Sequence, residues 1–179
     1  MAKDIRQSIG KTTHASEMGH RIPPEDEWHP RGQEPYAGPK DAERGPRKDR
    51  PVAIVGASAD RGKFGNKAVR AYLADGYTVW PVNPRGGRIE GLDVYRSLAE
   101  LPGLPWEVAV YVHEDQALDA LAAVADLEQA KGDQVAVVYL PPGADTAEVV
   151  DQARTLGLYA VNTCPIQAIG HDPREYPDS

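Results

Sequence analysis

The chain has 179 residues, 41% of them hydrophobic and 26% charged, with a formal net charge of -7. That length fits one domain with a full core plus an appendage, and is too short for two ordinary domains. The acidic balance argues against general nucleic-acid binding. The single cysteine, Cys164, excludes an intrachain disulfide framework and any multi-cysteine zinc or iron–sulfur site. No stretch resembles a signal-peptide core or nears the roughly 20 apolar residues that span a bilayer, so a cytoplasmic protein with no membrane contact is expected.

Residues 1–50 hold ten of the 20 basic and nine of the 27 acidic residues, are rich in proline and glycine, and carry no sustained apolar period. Such a composition buries too little apolar surface to offset the entropy of ordering, which predicts a flexible arm. Trp28 and Tyr36 are its candidates for docking on the domain or on a neighbouring subunit of a homo-oligomer, and residues 1–50 as a whole are the candidate for recruiting a protein partner. His14, His20 and His29 lack the spacing of a defined metal site.

From Pro51 onward short β-rich runs alternate with helical stretches. The predicted strands are 52–57, 78–83, 107–113, 134–140 and 158–163, and their continuous apolar character belongs to a parallel sheet covered on both faces. Predicted helices lie at 65–75, 96–101, 114–130 and 145–156. The third carries the stripe Ala117, Leu118, Leu121, Ala122, Ala125 and Leu127 and stops at Gly132. The fourth is capped by Asp145 and Thr146 and ended by Gly157. This succession predicts an α/β, Rossmann-like, doubly wound domain over residues 51–179, with five parallel strands in the order 3-2-1-4-5.

In such a sheet a ligand sits beyond the carboxyl ends of the strands, where the strand order reverses. Gly56, Ala57 and Ser58 end strand 1, where small residues and the start of a helix invite an anion. The segment outside the arm has ten basic against eighteen acidic residues, yet Arg61, Lys63, Lys67, Arg70, Arg85 and Arg88 cluster within 28 positions. Lys63 and Lys67, with Arg61, are the expected phosphate cations. A site for NAD needs a carboxylate after strand 2 to hold the ribose hydroxyls. Here that strand ends in Asn83, Pro84 and Arg85. A guanidinium in that place suits a ribose phosphate, either NADP or coenzyme A.

The segments "VAIVGAS", "KFGNKAVRAYLADGYTVWPVNPRGGRIEGLDVYRSLAELP", "VAVYV", "LPPGADTAEVVDQARTLGL" and "CPIQAIG" resemble, in that order, the small stand-alone CoA-binding domain family. That family is similar to the N-terminal CoA-binding domain of the succinyl-CoA synthetase alpha subunit. The resemblance covers residues 51 to 171. It implies that Gly56, Ala57 and Ser58 hold the CoA diphosphate, and that Asn83, Pro84 and Arg85 hold the adenosine and its 3′-phosphate. Tyr111, Val112 and His113 would wall the adenine, while Pro141, Pro142, Gly143, Cys164 and Pro165 would lie towards the pantetheine arm. The sequence departs from many relatives at "DRGKFGNKA", so the resemblance assigns no role to Phe64 or Asn66.

No catalytic triad, P-loop or metal spacing accompanies these residues. A non-catalytic module for coenzyme A or an acyl-CoA is the leading expectation, with an NADP-linked oxidoreductase or redox-responsive regulator as the alternative. Cys164 adds a further expectation, a mixed disulfide with the CoA thiol that would make the protein a redox sensor.

Overall fold

The computed structural model describes residues 50–179, so the expected arm and its Trp28, Tyr36 and histidines lie outside the described residues. The elements run β1 (Val52–Val55), α1 (Phe64–Ala74), β2 (Val79–Val82), β3 (Arg88–Ile89), β4 (Leu92–Asp93), a 3-10 turn at Leu98–Glu100, β5 (Glu107–Val110), α2 (Glu114–Lys131), β6 (Val137–Tyr139), α3 (Ala147–Thr155), β7 (Ala160–Val161), α4 (Pro165–Ala168) and a 3-10 turn at Pro173–Glu175.

The α/β class and the five-stranded parallel sheet are as expected. β1 is apolar throughout because both its faces are covered. Val52 and Ile54 join a cluster with Ala68, Val69 and Tyr72 of α1, whereas Ala53 joins Leu121 and Val124 of α2 and Val149 of α3. Opposite parity along the strand thus feeds opposite layers. The buried face of α2 is Ala117, Ala120, Leu121, Val124 and Leu127. Ala122, expected in that stripe, is exposed and Val124 takes its place in the core. Gly132 ends α2 in the left-handed conformation, and the Thr146 side chain caps α3 by accepting from the Val149 amide. The strands and α3 are shorter than predicted. The 96–101 helix is reduced to one 3-10 turn, since Pro102 and Pro105 close off any continuation.

The strand order is a correction. The sheet runs β2-β1-β5-β6-β7, which in the order of the five parallel strands is 2-1-3-4-5 rather than 3-2-1-4-5. The outer edge of β2, where a third strand was expected, is occupied by a returning loop. Tyr95 bridges Val82, donates its amide to the Pro81 carbonyl at 2.9 Å and accepts from the Asn83 amide at 2.9 Å. With that edge closed, the chain enters β5 on the far side of β1, in register Val52 with Glu107 and Val55 with Val110. The order therefore reverses between β1 and β5. Among the described residues no helix is long and apolar enough to cross a membrane, and no group of three or more His, Cys, Asp or Glu is arranged to hold a metal ion.

Candidate functional site

The carboxyl ends of β1 and β5 meet so closely that only glycine fits at the junction. Gly56 has φ +83°, and a methyl group on it would stand 2.3 Å from the Tyr111 carbonyl oxygen. The second contact is with the helix that follows. A methyl on Gly65, in the first turn of α1, would stand 2.2 Å from the Gly56 carbonyl oxygen. Strand end, loop and helix start are thereby pressed together.

Between them the loop is held by its own polar groups. The Ser58 hydroxyl accepts from the Asp60 amide at 3.1 Å, and the Asp60 carboxylate accepts from the Gly62 amide at 3.0 Å. Asn66, fully buried, donates to the Ser58 carbonyl at 2.8 Å and to Glu90 at 3.0 Å, and accepts from Arg70 at 2.8 Å. Asn83 donates to the Ala57 carbonyl at 2.8 Å and accepts from the Arg85 amide at 2.9 Å. Asn83 thus spends its amide on holding backbone, and Asn66 ties the loop backbone to Glu90 and Arg70.

Beyond this junction lies a cleft of about 1000 Å³. Of the sequence-predicted residues, Gly56, Ser58, Lys63, Asn83, Pro84, Arg85, Tyr111, Val112, His113, Pro141, Pro142 and Gly143 line it. Ala57, Lys67, Cys164 and Pro165 are outside that lining. The Ala57 side chain is buried in the core. Lys67 is paired with Asp178 at 2.7 Å, and Arg61 faces Glu90 at 3.7 Å. Of the three expected phosphate cations, Lys63 alone reaches the cleft, where it is exposed and has no ion pair among the described residues. Cys164 is half-buried against the α1-side core with Tyr111. Burial, and after it the neighbouring Cys164, push the Tyr111 hydroxyl well above its ordinary range.

The two helix starts at the cleft differ in charge. α1 has no acid in its first turn and no side-chain cap, which leaves its positive end open to an anion. α2 begins with Glu114 and Asp115, which already complement its dipole. Of the two, the start of α1 is the one whose dipole no acidic side chain complements.

Sequence reasoning missed one whole wall. Arg96, Ser97 and Leu98, together with Gln116, Asp119, Ala120 and Ala123 of α2, also line the cleft. The available signal was Arg96 itself, a basic residue left out of the cluster that ended at Arg88. Phe64, 56% exposed at the start of α1, also lines the cleft without having been foreseen.

Residues 50–169 match the CoA binding domain family. The chain belongs to that family. Among solved structures, it is similar to a hypothetical protein from Pyrococcus horikoshii at 25% identity and TM-score 0.62, covering 76% of this chain and 94% of that one. A conserved hypothetical protein from Pyrococcus furiosus is 31% identical with TM-score 0.53, covering 62% of this chain and 90% of that one. A dinucleotide-forming acetyl-coenzyme A synthetase from Candidatus Korarchaeum cryptofilum shares the fold at 24% identity and TM-score 0.53, with 67% of this chain matching 26% of that much longer one. A member of the CoA-binding family with this sheet order places its cleft at the β1/β5 reversal.

Proposed function

We propose that the protein is a non-catalytic module that binds coenzyme A, free or acylated, in this cleft. One observation carries the reading. The open, acid-free start of α1, Lys63 and Arg85 all line a single cleft at the reversal point of a CoA-binding family domain. In this reading the diphosphate rests on the Gly56–Ser58 backbone with Lys63 beside it, the Ser58 hydroxyl supplying a donor. Asn83 holds the turn that presents Pro84 and Arg85 to the adenosine and its phosphate. Tyr111, Val112 and His113 wall the base, and Pro142 and Gly143 lie towards the pantetheine arm. The ionisable groups of the lining that this reading does not use for phosphate are Arg96, Tyr111, His113 and Asp119. The binding domain is taken as residues 51–179, so removal of residues 1–50 leaves the affinity unchanged.

The test is calorimetric titration of ligand-stripped protein with coenzyme A, NADP and NAD. Tight binding of coenzyme A with little response to the others is expected. Binding of NADP alone overturns the reading in favour of an oxidoreductase or redox-responsive regulator.

Cys164 belongs to this reading through its thiol. Its thiolate attacks one sulfur of the CoA disulfide, forms the protein–CoA mixed disulfide and releases the second CoA as a thiolate. Because Tyr111 lines the cleft and Cys164 packs against it without lining it, the step requires Tyr111 to swing aside. Intact mass after incubation with CoA disulfide is expected to show one adduct on the wild type and none on Cys164→Ser. An unmodified wild type at every excess leaves Cys164 as core packing.

A further inference from the structure

We infer that Arg96, with the neighbouring Ser97 hydroxyl, is the residue that distinguishes a ligand carrying a 3′-phosphate on its ribose from one without it. The inference rests on the CoA reading above and assigns to Arg96 the discrimination that the sequence places on Arg85.

The two arginines share the cleft but are held differently. Arg85 is anchored through its backbone amide, by Asn83, and its exposed guanidinium has no partner among the described residues. Arg96 is held through its side chain. Its guanidinium lies over the tight turn at Gly86, where φ is +64° and where a methyl group would stand 3.3 Å from Cζ and from Nε and 3.4 Å from Nη2. A side chain at position 86 would displace it. Nη1 also points at the Pro84 carbonyl, 3.5 Å away, and the Arg96 backbone amide donates to Glu100 at 2.9 Å. The guanidinium thus lies against the Pro84–Gly86 turn, and the backbone of the residue is held by Glu100.

Its charge is also unspent. Arg61, Arg88, Arg154 and Arg174 each face a carboxylate, whereas Arg96 faces none among the described residues. Beside it, Ser97 lines the same cleft and its hydroxyl caps nothing. A guanidinium seated on this turn beside a serine hydroxyl suits a phosphate monoester, whose oxygens accept two parallel N–H bonds and a third from O–H. A preorganised fork loses less conformational freedom on binding than a free arginine does. Arg85 then contributes attraction at the rim, and Arg96 contributes the selection.

The experiment titrates coenzyme A and 3′-dephospho-CoA into the wild type and into the variants Arg96→Gln, Arg96→Lys and Arg85→Gln. Both side chains are exposed, and unchanged unfolding midpoints confirm that the variants fold. The wild type is expected to prefer coenzyme A. Arg96→Gln should lose about tenfold or more for coenzyme A, the scale of a charge-assisted contact, with 3′-dephospho-CoA unaffected. Arg96→Lys should recover part of the preference, and Arg85→Gln should keep it. Equal losses for both ligands in Arg96→Gln, or erasure of the preference by Arg85→Gln alone, overturns the assignment. A wild type that binds coenzyme A without preference also overturns it while leaving the CoA reading intact. A wild type that binds neither ligand overturns both.

Discussion

Gly65 occupies what looks in sequence like an ordinary helical position, yet it is as constrained as Gly56. Its φ is unremarkable; what excludes a side chain is the Gly56 carbonyl, 2.2 Å from where a Cβ would be. Gly65→Ala is expected to push α1 off the loop, costing about 2 kcal/mol by overpacking and weakening coenzyme A more than tenfold, as read by denaturant unfolding and calorimetry. Gly56 was legible because it ends an apolar strand. Gly65 was not, because close approach between two backbones leaves no mark in composition. The same holds for Asn66, whose three hydrogen bonds run to residues 8, 24 and 4 positions away. Glu90 has a positive φ of 47°, which marks a turn. It shares a tight two-residue turn with Gly91, and from it the carboxylate reaches Asn66.

Among the elements, β2 carried the clue to its own place. Pro81 has no amide hydrogen, so it cannot serve both sides of an interior strand. In the predicted order strand 2 is interior; in the observed order it is the edge of the parallel sheet, closed only by Tyr95. The fold class survived this error because apolar runs report burial on two faces, whereas order depends on loops whose paths are non-local. At the far end of α2, Glu128 accepts the Val135 amide at 2.8 Å. Burial, against the pull of that hydrogen bond and with help from Asp133, pushes its carboxyl from 4.5 up to about 7. A carboxyl whose pKa is raised by folding takes up a proton as the chain folds, so its native state is most favoured at low pH and loses stability as pH rises from about 4.5 to about 7. Across that window the wild type is expected to lose about 2–3 kcal/mol relative to Glu128→Gln. Urea unfolding of both at pH 4.5 and pH 7.5 measures the difference, and parallel pH profiles would show that Glu128 does not titrate with folding.

At the scale of the molecule, the net charge hides the site. The sequence showed that cations cluster between Arg61 and Arg88, but tertiary pairing decides which of them face a ligand, and that pairing comes from distant segments. The segment after α4 returns to α1. Asp178 takes Lys67, the Pro177 carbonyl accepts from Arg70 at 2.9 Å, and Tyr176 lies under the Arg70 guanidinium, 5.6 Å from ring centre to Cζ. His171 sits between Asp75 and Glu175 and bonds the Tyr176 hydroxyl at 3.0 Å. Removal of residues 171–179 is expected to lower the global stability by about 1–2 kcal/mol. It should also raise amide exchange selectively over residues 58–66, with β5 and β6 still protected. Uniform loss of protection would mean that the segment supports the whole fold and not the loop.

Arg70 and Pro177 stand 107 residues apart in the chain. A ribosome makes the two ends of that contact several seconds apart, at the usual pace of roughly 5–20 residues per second. Until the later segment emerges, the nascent β1–α1 loop has its glycines in place but not its clamp, so this loop is in the first part of the domain to be synthesised and among the last to be tightened.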